Sequence, residues 1–347
     1  MARSRAAAEV VAMCVDAHAH IFPRIRGRIG DGLVIGRSYG LASVGDSVVQ
    51  VLPPFARRLA HTPAMLLAAM RAAGVERAVL LQGPFYGYCN HYVGEAVSAH
   101  PLQLAGAVAT DPWTTGRSGL RRALRAAPEA CAFKLEFSER TGLSGLHPDA
   151  ELAAPELAWL WDELDARGLV AVIDLGHIGG RGYQTEAVRR IALEHPRLRI
   201  VIAHLAQPNP DVLSSRDARR AWLRQISLGK LPNVSFDLAS LPAYFGRHDS
   251  YRGMRECLRW AVEAIGPTKL LWGSDAPAML TRGTYEELRE VITERLVMLS
   301  SSELALVTGG NAAALFWPDS DCPTPSTHRV ATSLRTESMP AAARRSR

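Results

Sequence analysis

Two histidines separated by one alanine, His18 and His20, lie in the segment VDAHAH near the start of the chain. If this segment is a β-strand, both side chains point to the same side of it, with their Cβ atoms about 7 Å apart. Two imidazoles placed in this way can bind one metal ion at about 2.0–2.1 Å each. The alternative is a pair of solvated loop histidines. The spacing therefore suggests a metal site, to which other segments must contribute further ligands.

Three further segments place a potential metal ligand after an apolar run. His177 follows VIDLG, His204 ends IVIAH, and Asp275 follows LLWGS. In an α/β barrel the carboxyl ends of all strands meet at one face, and the catalytic groups lie there. Ligand-type residues at four strand ends are hard to obtain by chance, so they indicate one shared site.

The elements that must position these residues are short apolar runs alternating with longer amphipathic segments. Runs such as VAVIDL and LRIVIAH are continuously apolar, which is typical of strands buried on both faces of a parallel sheet. The predicted strands cover residues 12–16, 77–82, 104–110, 132–137, 170–175, 199–204, 233–238 and 269–274. Helices are predicted between them. One over 65–74 ends at a glycine, and one over 155–168 begins with proline and ends at glycine.

Eight strands alternating with about eight helices predict a single (β/α)8 TIM barrel of the α/β class. An open doubly wound sheet is disfavoured, since no GxGxxG motif follows the first strand. The barrel is expected to span residues 12–317 as one domain. Residues 1–11 and 318–347 lack periodic apolar positions and are predicted to be disordered tails.

These motifs together resemble the amidohydrolase superfamily, and within it the amidohydrolase 2 family of metal-dependent hydrolases and decarboxylases. The resemblance rests on DAHAH after the first strand, a histidine after the fifth, AH after the sixth and WGSDAP after the eighth. The closing segment GGNAAALFWPD is also similar to the last helix of that family. The motifs are specific to the superfamily but not to a substrate.

The resemblance implies that His18, His20, His177 and Asp275 hold one divalent metal ion. Three imidazoles and one carboxylate favour Zn²⁺, with Mn²⁺ or Fe²⁺ also compatible. Zinc lowers the pKa of a bound water toward about 7. Asp275 is expected to accept the proton of that water and pass it to the leaving group, and His204 to stabilise the developing oxyanion.

Lys134 stands out because the chain has only three lysines against 37 arginines. In binuclear members of the superfamily a carboxylated lysine on this strand bridges two metals. Strand alternation places Lys134 and Glu136 on one face, inside the strand rather than at its tip. A buried pair with Glu136, or a contact to a substrate carboxylate, is therefore favoured over a bridge between metals.

The predicted substrate contacts come from loops at the barrel mouth. The segment GPFYGYCNHY after the second strand offers Tyr86, Asn90 and His91, which suit an unsaturated ring or a sugar-like lactone. Packing of this loop against the barrel rim is an equally weighted alternative. Arg140 and Arg181 could each bind a substrate carboxylate in a bidentate way. The glycine-rich segment 24–55 is expected to form a lid or an oligomer contact.

Composition limits the choice of partner. The net charge of +6 invites a nucleic-acid interpretation, but the arginines are dispersed and no basic stripe is present, so no nucleic-acid partner is predicted. No stretch of about 18 uncharged apolar residues exists, so no membrane span is predicted either. Five scattered cysteines without CxxC spacing fit a reducing cytosol, and the N-terminal segment is too short and broken for a secretory signal.

The sequence thus predicts a cytoplasmic, zinc-dependent hydrolase that opens a lactone, ester or amide of a small carboxylic acid, with a lactonase-like reaction favoured. The substrate is expected to be a carboxylate-bearing ring or a lactone, and the chain could form a homo-oligomer. The alternative on the same barrel is a non-oxidative decarboxylase. A non-catalytic basic binding protein is the alternative of another class.

Overall fold

Eight parallel strands form the central sheet in the computed structural model, which describes residues 13–54, 57–245 and 251–318. The predicted tail 1–11 and the predicted tail beyond residue 318 lie outside these residues. The barrel strands are β1 (Val15–His20), β6 (Arg77–Leu81), β7 (Leu104–Val108), β8 (Ala132–Glu136), β9 (Val170–Asp174), β10 (Ile200–Ile202), β11 (Val234–Asp237) and β12 (Leu270–Leu271). Each of the eight predicted strands corresponds to one of them.

The strand order is β1-β6-β7-β8-β9-β10-β11-β12, so each strand pairs in parallel with the next barrel strand along the chain. The two ends of the sheet meet. The amide of Ala17 donates to the carbonyl of Trp272 over 2.9 Å, and the amide of Asp275 donates to the carbonyl of His18 over 2.7 Å. The structure is therefore a nearly closed (β/α)8 barrel, as the sequence predicts.

Helices surround the barrel. They are α1 (Pro63–Ala72), α2 (Asn90–Ala99), α3 (Pro112–Ala126), α4 (Leu143–Leu146), α5 (Ala158–Ala166), α6 (Thr185–Glu194), α7 (Asp211–Ser214), α8 (Arg216–Ile226), α9 (Leu241–Tyr244), α10 (Arg252–Ile265), α11 (Tyr285–Thr293), α12 (Ser301–Ala305) and α13 (Asn311–Phe316). Local sequence explains their starts. Thr62 caps α1, with proline at its first position, and Thr284 and Glu287 form a reciprocal capping box on α11. None of the helices within the described residues is long and apolar enough to cross a lipid bilayer.

The core has two layers that follow the alternation of the strands. Alternate side chains fill the inside of the barrel, among them Val79, Leu81, Ala132, Val170, Val172 and Val201. The intervening residues, such as Ala171 and Ile173, pack outward against the helices. On β8 the inward set is Ala132, Lys134 and Glu136, and on β9 it ends at Asp174. Polar groups at the last inward positions therefore face the mouth of the barrel.

Residues 26–50, within the segment predicted to form a lid or an oligomer contact, form a folded sheet that the sequence analysis did not predict. Its antiparallel strands are β2 (Arg26–Ile29), β3 (Gly32–Gly36), β4 (Leu41–Val44) and β5 (Ser47–Gln50), paired in chain order. We call this unit the mouth sheet. Its strands are four or five residues long with one largely exposed face, so their periodicity is too short to recognise.

The mouth sheet is fixed to the barrel by its own small core. Phe22, Ile29 and Val34 are buried with Phe85 and Tyr86 packed against them. The amide of Arg28 donates to the carbonyl of Pro84 over 2.9 Å. Gly27 permits this approach, because a Cβ there would lie 2.1 Å from the same carbonyl oxygen.

Candidate metal and active site

The predicted strand ends surround a cavity of about 330 Å³ at the carboxyl end of the barrel. It is lined by residues from several strand ends, from the loop after β6 and from the mouth sheet, including His18, His20, Val49, Gln82, Tyr86, Glu136, Asp174, His204 and Asp275. A neighbouring cavity of about 750 Å³ shares Val49, Asp174, His204 and Asp275 and extends under the turns of the mouth sheet. The chemistry-bearing groups therefore face a single open basin.

A bulge in β1 aims both histidines of the DAHAH motif into this basin. Val15 and Ala17 belong to the inner core, whereas Ala19 belongs to the outer one. The pairing of β1 with β6 shifts register between Asp16 and Ala19. Beyond this irregularity His18 and His20 take the inward positions. Both are almost fully buried.

Both imidazoles present Nε2 to the basin because Nδ1 is already bonded. His18 Nδ1 lies 2.9 Å from the carboxylate of Asp237, and His20 Nδ1 lies 2.9 Å from the carbonyl oxygen of Leu81. Each acceptor requires a hydrogen on Nδ1, which leaves the lone pair on Nε2. Burial lowers the pKa of His18 to about 4 despite the opposing charge of Asp237, which favours the neutral imidazole.

Asp275 completes a set of side chains that fits a cation. Its Oδ1 lies 3.1 Å from His20 Nε2 and 3.9 Å from His18 Nε2, and its Oδ2 accepts from the hydroxyl of Ser240. One ligand atom from each of His18, His20 and Asp275 lies within 4.8 Å of the others. Two imidazole nitrogens and one carboxylate converge here, a set of donors that suits a divalent ion.

His177 is not part of this set. It is exposed, and it lines the neighbouring cavity rather than joining either of the ligand groups found among the described residues. The reason is local. The inward alternation of β9 ends at Asp174, and Gly176 at φ +75° turns the chain away from the barrel interior. The inward residue at this strand end is therefore Asp174, three residues before the predicted histidine.

His204 lies beside the ligand set in an uncommon backbone conformation. His204, Leu205, Ala206 and Gln207 have consecutive φ angles of 59°, 50°, 56° and 47°. Non-glycine residues rarely adopt this left-handed region, and such residues cluster at functional sites. The turn brings the His204 ring to a centroid distance of 4.6 Å from the ring of His18. The indole of Trp222 donates to the carbonyl of Leu205 over 2.9 Å and supports the turn.

The partners of His204 favour its charged form. Nε2 lies 3.3 Å from the carboxylate of Asp174, and Nδ1 lies 3.2 Å from the carbonyl oxygen of Ala239, so both nitrogens face acceptors. Burial alone would lower the pKa of His204, but the charge and hydrogen bond of Asp174 outweigh it and raise the pKa to about 9. The imidazolium in turn holds the pKa of Asp174 below its usual range against the effect of burial.

Asp237, at the end of β11, links the two histidines. One of its oxygens accepts from His18 Nδ1, and the other accepts the amide of His204 over 2.8 Å and that of Ala239 over 3.1 Å. Asp237 is fully buried, and although burial raises its pKa, His18 and His204 shift the balance downward. A buried carboxylate behind a metal-binding histidine fixes the ring orientation and tautomer.

Asp16 ties β1 to the end of β12. Its Oδ1 accepts the amides of His18 and Ser274 over 2.9 and 2.8 Å, and its Oδ2 accepts the hydroxyls of Ser274 and Tyr285, each over 2.5 Å. The two segments that it joins carry His18 and Asp275. Burial raises the pKa of Asp16 to about 6, against the lowering effect of these donors. Asp16 therefore fixes the relative position of two ligand-bearing segments.

Lys134 and Glu136 stand on the inward face of β8. Lys134 Nζ lies 3.5 Å from Glu136 Oε2 and is buried, with no hydrogen-bond partner in the described part of the chain. Glu136 lines the cavity, and its Oε1 accepts from the Ser138 hydroxyl over 2.5 Å. The buried pair predicted from strand alternation is thus present in the structure. A substrate contact for Lys134 stays a prediction.

The predicted loop residues differ in where they lie. Tyr86 lines the cavity, with its ring 5.0 Å from that of His20 and stacked on Phe22 at 4.8 Å. Asn90 instead bonds Gln82 and both backbone groups of Ala109, and lines a separate outer groove. The His91 side chain is 79% exposed in that groove. The structure therefore brings Tyr86 to the basin but neither Asn90 nor His91.

The two predicted arginines also lie in different places. Arg140 lines the larger cavity close to Ser138 and Thr141. Arg181 lies 3.4 Å from Glu139 and is half exposed, and it lines neither of the two cavities of the basin. Of these two arginines, Arg140 alone lines the basin, and a substrate contact for it stays a prediction.

Sequence reasoning missed three carboxylates that support the site, namely Asp16, Asp174 and Asp237. A signal was present for Asp174 and Asp237, because each is an acidic residue at the end of a largely apolar strand. Charged residues are almost never fully buried without partners, so an acid within VAVID or VSFD indicates a polar partner nearby. The partners themselves lie far away in sequence and cannot be identified from it.

Comparison with known protein families shows the class to which the protein belongs. Residues 15–317 match the amidohydrolase family model, which spans the whole barrel and its last helix. The chain belongs to the amidohydrolase 2 family, and this confirms the resemblance carried by its motifs.

The individual relatives share only low sequence identity with the chain. The chain is 26% identical over 258 residues to an L-fucono-1,5-lactonase of Burkholderia multivorans, covering 62% of this chain and 83% of the relative. A solved amidohydrolase from Burkholderia multivorans with bound zinc has a TM-score of 0.64 at 20% identity, covering 88% and 99% of the two chains. A 5-carboxyvanillate decarboxylase from Sphingomonas paucimobilis has a TM-score of 0.52 at 19% identity, covering 75% and 84%. These two structures share the fold.

Proposed function

We propose that the protein is a metal-dependent hydrolase that opens a lactone of a small hydroxy acid. The observation that carries this proposal is the convergence of His18, His20 and Asp275 within 4.8 Å at the floor of an open cavity. A catalytic metal site has three protein ligands and keeps the remaining positions open for water and substrate, which this set permits. Membership of the family and the lactonase relatives support the same assignment.

We assign the metal ligands as His18 Nε2, His20 Nε2 and the Asp275 carboxylate, with zinc as the preferred ion. Two neutral imidazoles and one carboxylate suit Zn²⁺, and a solved relative of the same fold binds zinc. When bound, such an ion supplies Lewis acidity and lowers the pKa of water toward about 7. His177 is left out of this assignment because it is exposed outside the ligand set.

The chain's own residues supply the remaining chemistry. His204, held as an imidazolium by Asp174, places a positive charge beside the ligand set, where it stabilises an oxygen that becomes negative during attack on the carbonyl. Asp275 accepts the proton of the attacking water. Tyr86 presents an aromatic surface at the cavity wall for the apolar face of a ring.

Decarboxylation is the second candidate. The observation that favours it is the contact of His204 with Asp174, which raises the pKa of His204, because carbon must receive a proton when CO₂ leaves. The fold shared with 5-carboxyvanillate decarboxylase is compatible with it. The lactonase assignment is preferred because the relatives matched by sequence are lactonases.

A substrate panel separates the two. Protein loaded with Zn²⁺ or Mn²⁺ is incubated with sugar-acid 1,5-lactones, an aliphatic δ-lactone and dihydroxybenzoates, and both acid release and CO₂ are measured. Acid release from lactones that is lost in the His18→Ala/His20→Ala variant and kept in His91→Ala is the expected result. His91 is a suitable control, since it lies in the outer groove. Release of CO₂ without lactone opening would overturn the proposal.

A further inference from the structure

The basin is larger than a substrate of one ring requires. The cavity that contains His18 and His20 has a volume of about 330 Å³, at the lower end of the range for small-molecule sites. The neighbouring cavity has about 750 Å³, more than twice that volume. Ligand pockets enclose most of their ligand, so a single lactone ring bound at the ligand set would leave the larger cavity unfilled.

The two cavities adjoin beside the ligand set. Both are lined by Val49, Phe85, Thr141, Asp174, His204 and Asp275. A substituent on a lactone ring in the smaller cavity can therefore extend into the larger one. Phe85 offers an aromatic surface between the two cavities, which suits the apolar face of a second sugar ring.

The larger cavity is lined by polar side chains that have no partner in the protein. The side chains of Asp31, Asp46, Arg140 and Tyr244 line it, and none forms a hydrogen bond or ion pair with another described residue. The polar groups of the ligand set are, in contrast, bonded to one another or to their supporting carboxylates. The free donors and acceptors of the basin therefore surround the larger cavity.

The two free carboxylates lie on neighbouring turns of the mouth sheet. Asp31 is in the turn between β2 and β3, and Asp46 is in the turn between β4 and β5. The amide of Gly45 donates to the carbonyl of Leu33 over 3.1 Å, so the two turns are in direct contact. A Cβ on Gly30 would lie 2.8 Å from a backbone oxygen of α4, which shows how closely the first turn packs on the barrel. Backbone contacts therefore hold both carboxylates in place.

The free groups suit an uncharged ligand with several hydroxyls. Asp31 and Asp46 accept hydrogen bonds, Arg140 donates them, and the hydroxyl of Tyr244 does both. A sugar hydroxyl also donates and accepts, so it can bond to each of these groups. An acidic ligand would leave the two carboxylates without a donor, and an amine would leave Arg140 without an acceptor.

We propose that the larger cavity binds a neutral, hydroxylated ring attached to the lactone, so that the substrate is the lactone of a two-unit sugar acid. This substrate class rests on the proposed lactonase function. One water adds across the bond between the acyl carbon and the ring oxygen, and the bond between the two units is not broken. Contacts with the second unit lie away from the reacting carbonyl, and their binding energy raises kcat/KM.

Substrates of different size and charge provide the test. Protein loaded with Zn²⁺ or Mn²⁺ is assayed with the 1,5-lactones of gluconic acid and of its 4-O-glucosyl and 6-O-glucosyl derivatives, with rates corrected for spontaneous opening. One hydrogen bond to a charged group contributes about 10–100-fold in affinity. At least one glucosylated lactone is therefore expected to exceed the parent lactone in kcat/KM by about 10-fold or more. The corresponding glucuronosyl and glucosaminyl lactones, an acid and an amine, are expected to be poorer substrates than the neutral one.

Variants connect this preference to the cavity. Asp31→Ala/Asp46→Ala removes both carboxylates and should lower the preference for the glucosylated lactone by about 10-fold or more, whereas Tyr244→Phe should lower it by about 2–10-fold. Asp149→Ala removes an exposed carboxylate that lines neither cavity and should keep the preference. Calorimetry gives a readout independent of turnover. The glucosylated acid is expected to bind to the wild type more tightly than gluconate does, and the double variant should lose this difference.

The outcomes separate this substrate class from the proposed function. Equal kcat/KM for the parent and both glucosylated lactones refutes the site for a second ring, while the lactonase assignment stands. A preference for the glucuronosyl lactone also refutes it, because the larger cavity then binds a carboxylate. A wild-type enzyme that opens none of these lactones refutes the proposed function and the substrate class with it. If the double variant does not fold, Tyr244→Phe decides, and an unchanged preference there refutes the site.

Discussion

Replacement of Asp237 by asparagine should weaken metal binding with little change in shape. The asparagine oxygen can still accept the amides of His204 and Ala239, now 2.8 and 3.1 Å from the carboxylate. Its NH₂ group, however, faces His18 Nδ1, which at present lies 2.9 Å from the second oxygen. Two donors then meet, so His18 must move its hydrogen to Nε2. That is the atom assigned to the metal.

The size of the effect follows from this loss of tautomer control. Outer partners of metal-binding histidines contribute about 10–100-fold in affinity, which corresponds to about 1.4–2.8 kcal/mol. The Zn²⁺ dissociation constant, measured by competition with a chromophoric chelator, should therefore rise by that factor in Asp237→Asn. Asp217→Asn, an exposed change on α8, is the control and should bind as the wild type does. Equal affinity in Asp237→Asn would refute the role given to this carboxylate.

Three further predictions concern stability. Gly27→Ala places a Cβ 2.1 Å from the Pro84 carbonyl oxygen, so it should lower the free energy of unfolding by about 1–3 kcal/mol, lower Tm and raise KM. The control Ser38→Ala should leave Tm and KM unchanged. Trp222→Phe leaves the carbonyl of Leu205 unpaired, and chemical unfolding should show a loss of about 1–3 kcal/mol; a loss below about 0.5 kcal/mol would contradict this. Folding raises the pKa of Asp16 from 3.8 to about 6, so the folded state binds a proton at Asp16 more tightly than the unfolded state does. The protonation of Asp16 therefore stabilises the folded state below pH 4, and this stabilisation is lost as the pH rises through 6. The unfolding free energy of the wild type should fall by about 3 kcal/mol relative to Asp16→Asn across that window, and parallel pH profiles would count against it.

The barrel was predictable because its signals are local. Continuous apolar runs such as VAVID and IVI are strands that must be buried on both faces, and their number determines the architecture. The mouth sheet was not predictable, because its pairing depends on turns and on contacts with Phe85 and Tyr86 that no short window of sequence shows.

The same difference between local signals and long-range contacts applies to the candidate site. His18, His20, His204 and Asp275 follow from motif and strand position, and the structure brings all four together. The different position of His177 depends on one backbone turn at Gly176, which is a property of the folded chain. The pairing of Asp174 with His204 joins residues 30 positions apart, and only the closed barrel brings them into contact.

The mouth sheet gives this enzyme two parts that can change independently. Asp31, Asp46 and Val49 reach the basin from its turns and its last strand, while the reacting groups come from the barrel. Because the mouth sheet has its own core, substitutions in those turns need not disturb the ligand set. New substrate preferences can therefore be acquired, by natural selection or by directed evolution, through a segment of about 25 residues while the catalytic apparatus is inherited intact.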